Sequence, residues 1–252
     1  MVVRNTEFDP FASIYNRFWG ADYHGQAFPI VEKLLLNRLP ERARILDLCC
    51  GTGQFTARVE RHGFRVHGVD ASERMIGYAR LNAPAAEFTV ADARNFSLDH
   101  TFEAAYSVFE SLNHVRDLSG LAMVFASVRR HLSAGAPFLF DLNREQAFRF
   151  YWNDTHAIVA DDAVCALRSR YDEAARLATC DITTFQPEHC PSERDGHWIR
   201  SDFTVRQTCH DIGQVHDALS NAGFRGITLY DSQDIGMTGE IACARTFFLA
   251  TV

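Results

Sequence analysis

Residues 45–56 read Ile45-Leu46-Asp47-Leu48-Cys49-Cys50-Gly51-Thr52-Gly53-Gln54-Phe55-Thr56. A short apolar run ends in a glycine-containing turn and passes into a helix start, an arrangement that exposes backbone N–H groups to a ligand. Gly51 and Gly53 let the backbone come close to whatever lies over the turn. The same physics serves dinucleotides and ordinary tight turns, so the turn is read together with its neighbours.

Outward from this turn, residues 44–142 alternate short apolar runs with helix-like stretches, the pattern of βαβ units around a parallel sheet. Strands are predicted at 44–49, 65–70, 86–92, 102–109 and 137–141, with helices near 53–62, 72–81 and 118–132. Right-handed crossovers place such helices on both faces, which makes the sheet doubly wound. The second strand ends in Gly68-Val69-Asp70, about 20 residues beyond the turn, where a carboxylate can accept from ribose hydroxyls. The third ends in Val90-Ala91-Asp92-Ala93, beside it, where an adenine amino group can donate. Three successive strand ends thus present Asp47 with Gly51, then Asp70, then Asp92. Asp70 and Asp92 also have a plainer reading as loop acids that cap the following helices, for which Ser72 is the better N-cap.

Before the sheet, residues 11–18 and 27–39 carry apolar side chains at helical spacing, and Pro29 places the second helix start near Phe28. After Asp141 the period changes. Residues 155–208 read as antiparallel strands, with turns at Asp161-Asp162 and at 172–175 and a loop over 186–196. Ile212, Val215 and Leu219 then form a helical stripe closed by Gly223, and 224–230 and 244–251 read as two final strands. The chain divides into a helical cover over 1–40, a doubly wound α/β domain over 41–154 and 209–252, and an inserted set of antiparallel strands over 155–208.

The chain has 252 residues, 47% of them hydrophobic and 23% charged, so folding is expected along most of its length. A net charge of -7 argues against general attraction to phosphate backbones, so no nucleic acid is expected as partner. No window is apolar enough to span a bilayer, and Arg4, Glu7 and Asp9 break any signal-like stretch; the expectation is a cytoplasmic protein without a membrane partner. Seven scattered cysteines fit a reduced compartment. His189, Cys190, His197, Cys209 and His210 lack the paired spacing of structural zinc sites, and no metal is expected there. Composition says nothing of oligomeric state.

With these residues in place the chain resembles the class I S-adenosylmethionine-dependent methyltransferases over nearly its whole length. The family pattern Asp-x-Gly-x-Gly-x-Gly stands here as Asp47-Leu48-Cys49-Cys50-Gly51-Thr52-Gly53, with Cys49 in place of the first glycine. The resemblance implies a mostly parallel seven-stranded sheet ending in an antiparallel hairpin, with S-adenosylmethionine as cofactor and S-adenosylhomocysteine as product. It implies that Gly51 lies against the methionine part, Asp70 binds ribose, and Asp92 with Ala93 contacts adenine. Asp47, Cys49, Gly53, Ala71, Met75 and Phe109 complete the implied cofactor set. The opening run Phe11-Ala12-Ser13-Ile14-Tyr15-Asn16 and then Asp22-Tyr23 resembles small-molecule members, in which such tyrosines close the cofactor pocket. Tyr15 also reads as an ordinary core aromatic.

After the fourth strand, Phe109-Glu110-Ser111-Leu112-Asn113-His114 lacks the Asn-Pro-Pro-aromatic motif of nucleobase amine methylation. It resembles the corresponding run of aminosugar N,N-dimethyltransferases, where a Ser-x-x-His segment sets a histidine beside the substrate amine. Leu112-Asn113-His114 recurs among members with many acceptor types, so the resemblance names no acceptor. His114 is expected to be the general base or the residue that orients the nucleophile; it also reads as a helix-start histidine bound to a carbonyl. Trp198, Arg200 and Phe203 of the insertion are expected to shape the substrate pocket. The function expected is methyl transfer to an N or O atom of a small molecule. Two alternatives are a nicotinamide-dependent oxidoreductase, which lacks its Gly-x-Gly-x-x-Gly spacing here because Thr56 follows Gly53, and a non-catalytic cofactor-binding protein.

Overall fold

The computed structural model describes residues 6–187 and 197–252. A seven-stranded sheet is built from β1 (Arg44–Leu48), β2 (Arg65–Asp70), β3 (Glu87–Val90), β4 (Ala104–Ser107), β5 (Pro137–Asn143), β10 (Arg225–Asp231) and β11 (Arg245–Thr251). Their order is β10-β11-β5-β4-β1-β2-β3. All pairings are parallel except those of β11, which runs antiparallel to both β10 and β5. Chain order reverses at β1, which has β2 on one side and β4 on the other, so the C-terminal ends of these strands open a crevice.

Period-two alternation sorts each strand's side chains onto two faces. Phe138, Phe140 and Leu142 of β5 join Phe248 of β11 on one face, covered by α5 (Leu118–His131) and α7 (Ile212–Asn221). Leu139, Phe247 and Leu249 face the other way, with Ile45 and Tyr106, against α2 (Ala21–Leu34) and α3 (Gln54–Arg61). Ser72 caps α4 (Glu73–Asn82) by accepting from the Met75 N–H at 3.1 Å, as its position in the sequence suggests. Gly223 follows α7 with φ 98°, the left-handed position that a helix stop favours.

Three boundaries depart from the sequence reading. The helix placed from Phe28 onward begins at Ala21 and carries Pro29 inside it. An interior proline costs about 3 kcal/mol. Tyr23, Ala27, Phe28, Ile30, Val31 and Leu34 are all buried from this helix, at roughly 1.5–3 kcal/mol for each large apolar side chain, and that burial outweighs the lost bond. The third strand stops at Val90, so Asp92 stands two residues past its end, and the fourth contracts to Ala104–Ser107 because the backbone turns left-handed at Phe109 and Glu110.

A second sheet of four antiparallel strands follows α6 (Glu145–Tyr151): β6 (Thr155–Ala160), β7 (Ala163–Asp172), β8 (Leu177–Pro187) and β9 (Trp198–Thr208), in sequential order. Its inner face, with Cys165, Cys180, Ile182 and Val205, packs on Phe11 and Ile14 from the N-terminal segment that includes α1 (Ala12–Phe18). Most of the loop expected over 186–196 lies outside the described residues; Gln186 and Pro187 finish β8. Among the described residues, no helix is long and apolar enough to cross a membrane.

Candidate active site

Between the C-terminal edge of the large sheet and the inner face of the small one lies a cavity of about 650 Å³. The turn after β1 forms part of its floor. Cys49, Gly51 and Gly53 take φ of 60°, 54° and 71°, three left-handed residues in five, which tightens the chain before α3. The two glycines do different things. A Cβ on Gly53 would lie 2.8 Å from the Ala79 Cα, so this glycine allows α3 to start against α4. A Cβ on Gly51 would meet nothing nearer than the Tyr15 ring at 3.8 Å, so its backbone faces the cavity.

Asp70 closes the turn from the neighbouring strand: one carboxylate oxygen accepts from the Gly51 N–H and the other from the Ser72 N–H, each at 2.9 Å. A carboxylate has about four acceptor positions, so Asp70 can still accept from a ligand. Burial raises its pKa. Asp92, paired with Arg94 at 2.6 Å, lines the same side with Ala71, Met75 and Ala93. Ser72 also donates to Asp9 at 2.6 Å, which ties the N-terminal segment to the start of α4.

Of the residues expected around a cofactor, Tyr15, Cys49, Gly51, Asp70, Ala71, Met75, Asp92, Ala93 and Phe109 come together on the cavity wall. Asp47, Gly53 and Tyr23 stand behind it. The buried Asp47 carboxylate accepts from the Thr56 hydroxyl at 2.5 Å and the Tyr106 hydroxyl at 2.8 Å, and burial pushes its pKa up to about 7. It holds the turn from below. Tyr23 donates to Asp141 at 3.0 Å, accepts from the Phe109 N–H at 2.8 Å, and stacks on the Phe109 ring at 4.4 Å.

Tyr23 belongs to a buried network that the sequence reading missed. Phe109 and Glu110 are consecutive left-handed residues without being glycines, a conformation that persists only when its surroundings enforce it. The Glu110 N–H donates to Asp141, and Arg245, 3% exposed, pairs with both Glu110 and Asp141. The available signal was Arg245 standing at the head of an otherwise apolar strand, a charge that needs a buried partner.

The opposite wall is largely apolar, with Phe8, Phe11, Trp152, Leu167, Ile182 and Val205. His114 and Gln207 are polar groups on that side. His114 Nδ1 donates to the Arg206 carbonyl at 2.8 Å, and its Nε2 lies 3.1 Å from the Gln207 amide nitrogen. Desolvation lowers its pKa to about 4, so the ring is neutral and Nε2 is the acceptor. Of the three insertion residues expected here, Trp198 and Arg200 fall on the outer face of β9 and outside the cavity, because Val205 and Gln207 have the opposite parity. Arg200 pairs there with Asp202 at 2.7 Å. Phe203 has the inward parity but packs behind Phe11 at 5.7 Å between ring centroids.

Residues 45–135 match the family model described as a methyltransferase domain. YqeM of Bacillus subtilis (strain 168), whose name as a methyltransferase is provisional, is 26% identical over 219 residues, 85% of each chain. A dTDP-3-amino-3,4,6-trideoxy-alpha-D-glucopyranose N,N-dimethyltransferase of Streptomyces venezuelae is 32% identical over 127 residues, covering 49% of this chain and 53% of that one. Among solved structures, an S-adenosylmethionine-dependent methyltransferase from Clostridium acetobutylicum ATCC 824 superposes with a TM-score of 0.77 at 21% identity, over 98% of this chain and 99% of the other. The sheet order and the terminal antiparallel pair are those of the class I methyltransferase fold. Within that fold the chain carries a methyltransferase domain over residues 45–135, and S-adenosylmethionine is its cofactor.

Proposed function

We propose that this chain methylates a nitrogen atom of a small molecule held between the two sheets. The observation that carries this reading is the cavity, which has a carboxylate-bearing wall on the large sheet and a largely apolar wall opposite, where Ser169 and Gln207 of the small sheet and His114 are polar. Gly51, Asp70, Ala71, Met75, Asp92 and Ala93 would hold the cofactor, with Tyr15 and Phe109 closing over it. Their fit rests on the open backbone face at Gly51 and the spare acceptor capacity of Asp70. Bound S-adenosylmethionine supplies an electrophilic methyl group on a sulfonium.

The protein's task is then to hold a nucleophile in line and exclude water, which the apolar wall and the N-terminal aromatics serve. His114 has its lone pair engaged by Gln207 and a strongly lowered pKa, so in this arrangement it fixes the shape of the cavity wall and does not remove a proton from the acceptor. A neutral amine already carries the attacking lone pair and needs no base, whereas a hydroxyl does. That difference favours nitrogen over oxygen, in keeping with the acceptor named for the Streptomyces relative.

The test is turnover with isotope-labelled methyl donor over a panel of amines, phenols and carboxylates and over a metabolite extract. Label on amines is the expected result. Label on phenols or carboxylates alone would move the acceptor to oxygen, and cofactor binding with no labelled product would leave a non-catalytic binder.

A further inference from the structure

A polar cluster lies away from the cavity, on the outer part of the large sheet. His67 of β2 stands opposite Glu87 of β3 in the parallel register, and His100 comes from the chain that leads into β4. One ligand atom from each of the three lies within 4.8 Å of the others. His67 is 8% exposed, and its Nδ1 is buried without a hydrogen-bond partner. The other ring nitrogen, Nε2, lies 2.8 Å from the Thr89 hydroxyl. Nδ1 faces a Glu87 carboxylate oxygen at 3.4 Å, with the His100 ring centroid 5.4 Å from that of His67. A ring nitrogen and a carboxylate oxygen thus face each other beside a second imidazole, with room between them for a proton or for a cation.

We propose that His67, Glu87 and His100 bind one divalent transition-metal ion of the Zn²⁺ type. Two imidazole nitrogens and one carboxylate oxygen are a zinc-like donor set, and metal–ligand distances of about 2.0–2.2 Å require that the exposed Glu87 and the half-buried His100 side chains close inward. Thr89 fills the place of the outer partner that fixes a ligating histidine's tautomer. The ligands come from β2, from the edge strand β3 and from the segment before β4, so the ion pins both ends of residues 87–100. The middle of that segment holds Asp92, Ala93 and Arg94 at the cavity rim. The site therefore braces the edge of the cofactor wall and takes no part in methyl transfer.

The experiment uses the full untagged chain, stripped with chelator and titrated with Zn²⁺ alone against a chromogenic zinc indicator, with thermal melting in parallel. The wild type should take up one equivalent that competes with the indicator and should melt at a higher temperature with Zn²⁺. His100→Ala and Glu87→Gln alter a half-buried and an exposed side chain, so the fold should survive, and each should weaken uptake at least about ten-fold and abolish the melting shift. The double variant separates this site from the chain's other histidines and cysteines. Equal uptake by wild type and double variant, or no uptake by the wild type, would overturn the proposal.

Discussion

The Gln207 side-chain amide reaches Nε2 of His114 across 3.1 Å, while Nδ1 of the same ring donates to the Arg206 carbonyl at 2.8 Å. Both ring nitrogens are therefore engaged by β9, and the loop after β4 is fastened to the inserted sheet. A base must offer a free lone pair of matched pKa, and this ring offers neither. His114→Asn should lower kcat by less than about a hundred-fold, whereas loss of a true general base costs on the order of a hundred- to ten-thousand-fold. The kcat/KM profile should keep its shape between about pH 6 and 8 in both proteins, since the unperturbed imidazole value of about 6.5 does not apply here. A larger loss together with disappearance of an inflection in that range would restore the base.

Asp70 should matter to cofactor affinity and to the turn at once. Asp70→Ala removes an acceptor from the ligand and orphans the Gly51 and Ser72 N–H groups. Affinity for S-adenosylhomocysteine should fall by about 1.5 to 3 kcal/mol, the range for hydrogen bonds to a charged group. Asp70→Asn keeps one acceptor oxygen and should lose less. Calorimetric titration of both variants checks this, and unchanged affinity in the alanine variant would remove Asp70 from the site.

Arg245 neutralises Glu110 and Asp141 in the interior, and through them it holds the left-handed pair Phe109-Glu110. Arg245→Met keeps the volume but leaves buried carboxylates without their cation, which typically costs about 3 to 5 kcal/mol. Denaturant unfolding measures the loss. A cost under about 1 kcal/mol would mean that the carboxylates find another way to be neutral.

Much of the cavity wall on the large sheet was legible in the sequence because it depends on local signals at strand ends. Glycines in a turn, acids after apolar runs and a serine N-cap lie within a few residues of the elements they serve, so Gly51, Asp70, Ser72 and Asp92 could be placed by number. The opposite wall depends on which way a strand's side chains alternate relative to a distant sheet. That residues 155–208 form antiparallel strands was readable, but not that Trp198 and Arg200 lie on the outer face of β9. The Tyr23–Asp141–Arg245–Glu110 network joins residues more than a hundred positions apart through burial alone, and neither spacing nor propensity encodes that.

The parity of β9 gives a direct test. Trp198→Ala and Arg200→Ala lie outside the cavity, where Arg200 pairs with Asp202 and lies over the Phe185 ring at 5.9 Å, and exposed pairs contribute about 0 to 1 kcal/mol. Turnover and KM should stay within about two-fold of wild type, on the principle that surface changes away from special features have small effects. Val205→Asp, on the cavity wall, should raise KM for an apolar acceptor. A large effect from either outer residue would show that the small sheet's outer face also meets substrate.

Asp47 supplies a pH dependence whose sign follows from its surroundings. Its carboxylate is 2% exposed, bonded only to two hydroxyls, and lies near the Asp70 charge; burial, the largest cause, raises its pKa to about 7. In the unfolded chain the value returns to about 3.9. Between those values the folded state holds a proton that the unfolded state has released, so folding stability falls as pH rises through this window and levels off above about 7. Asp47→Asn carries a permanent neutral amide whose oxygen can still accept from Thr56 or Tyr106, so the variant lacks this dependence. Subtracting the unfolding free energy of the variant from that of wild type at each pH isolates the group from the buried histidines, whose lowered pKa values give the opposite slope over part of the same range. The difference should fall steadily from about pH 4 to 7, and the variant should gain on wild type toward alkaline pH. A difference that stays flat across that range would mean that Asp47 is ionised in the folded protein, with the Thr56 and Tyr106 hydroxyls enough to solvate its charge.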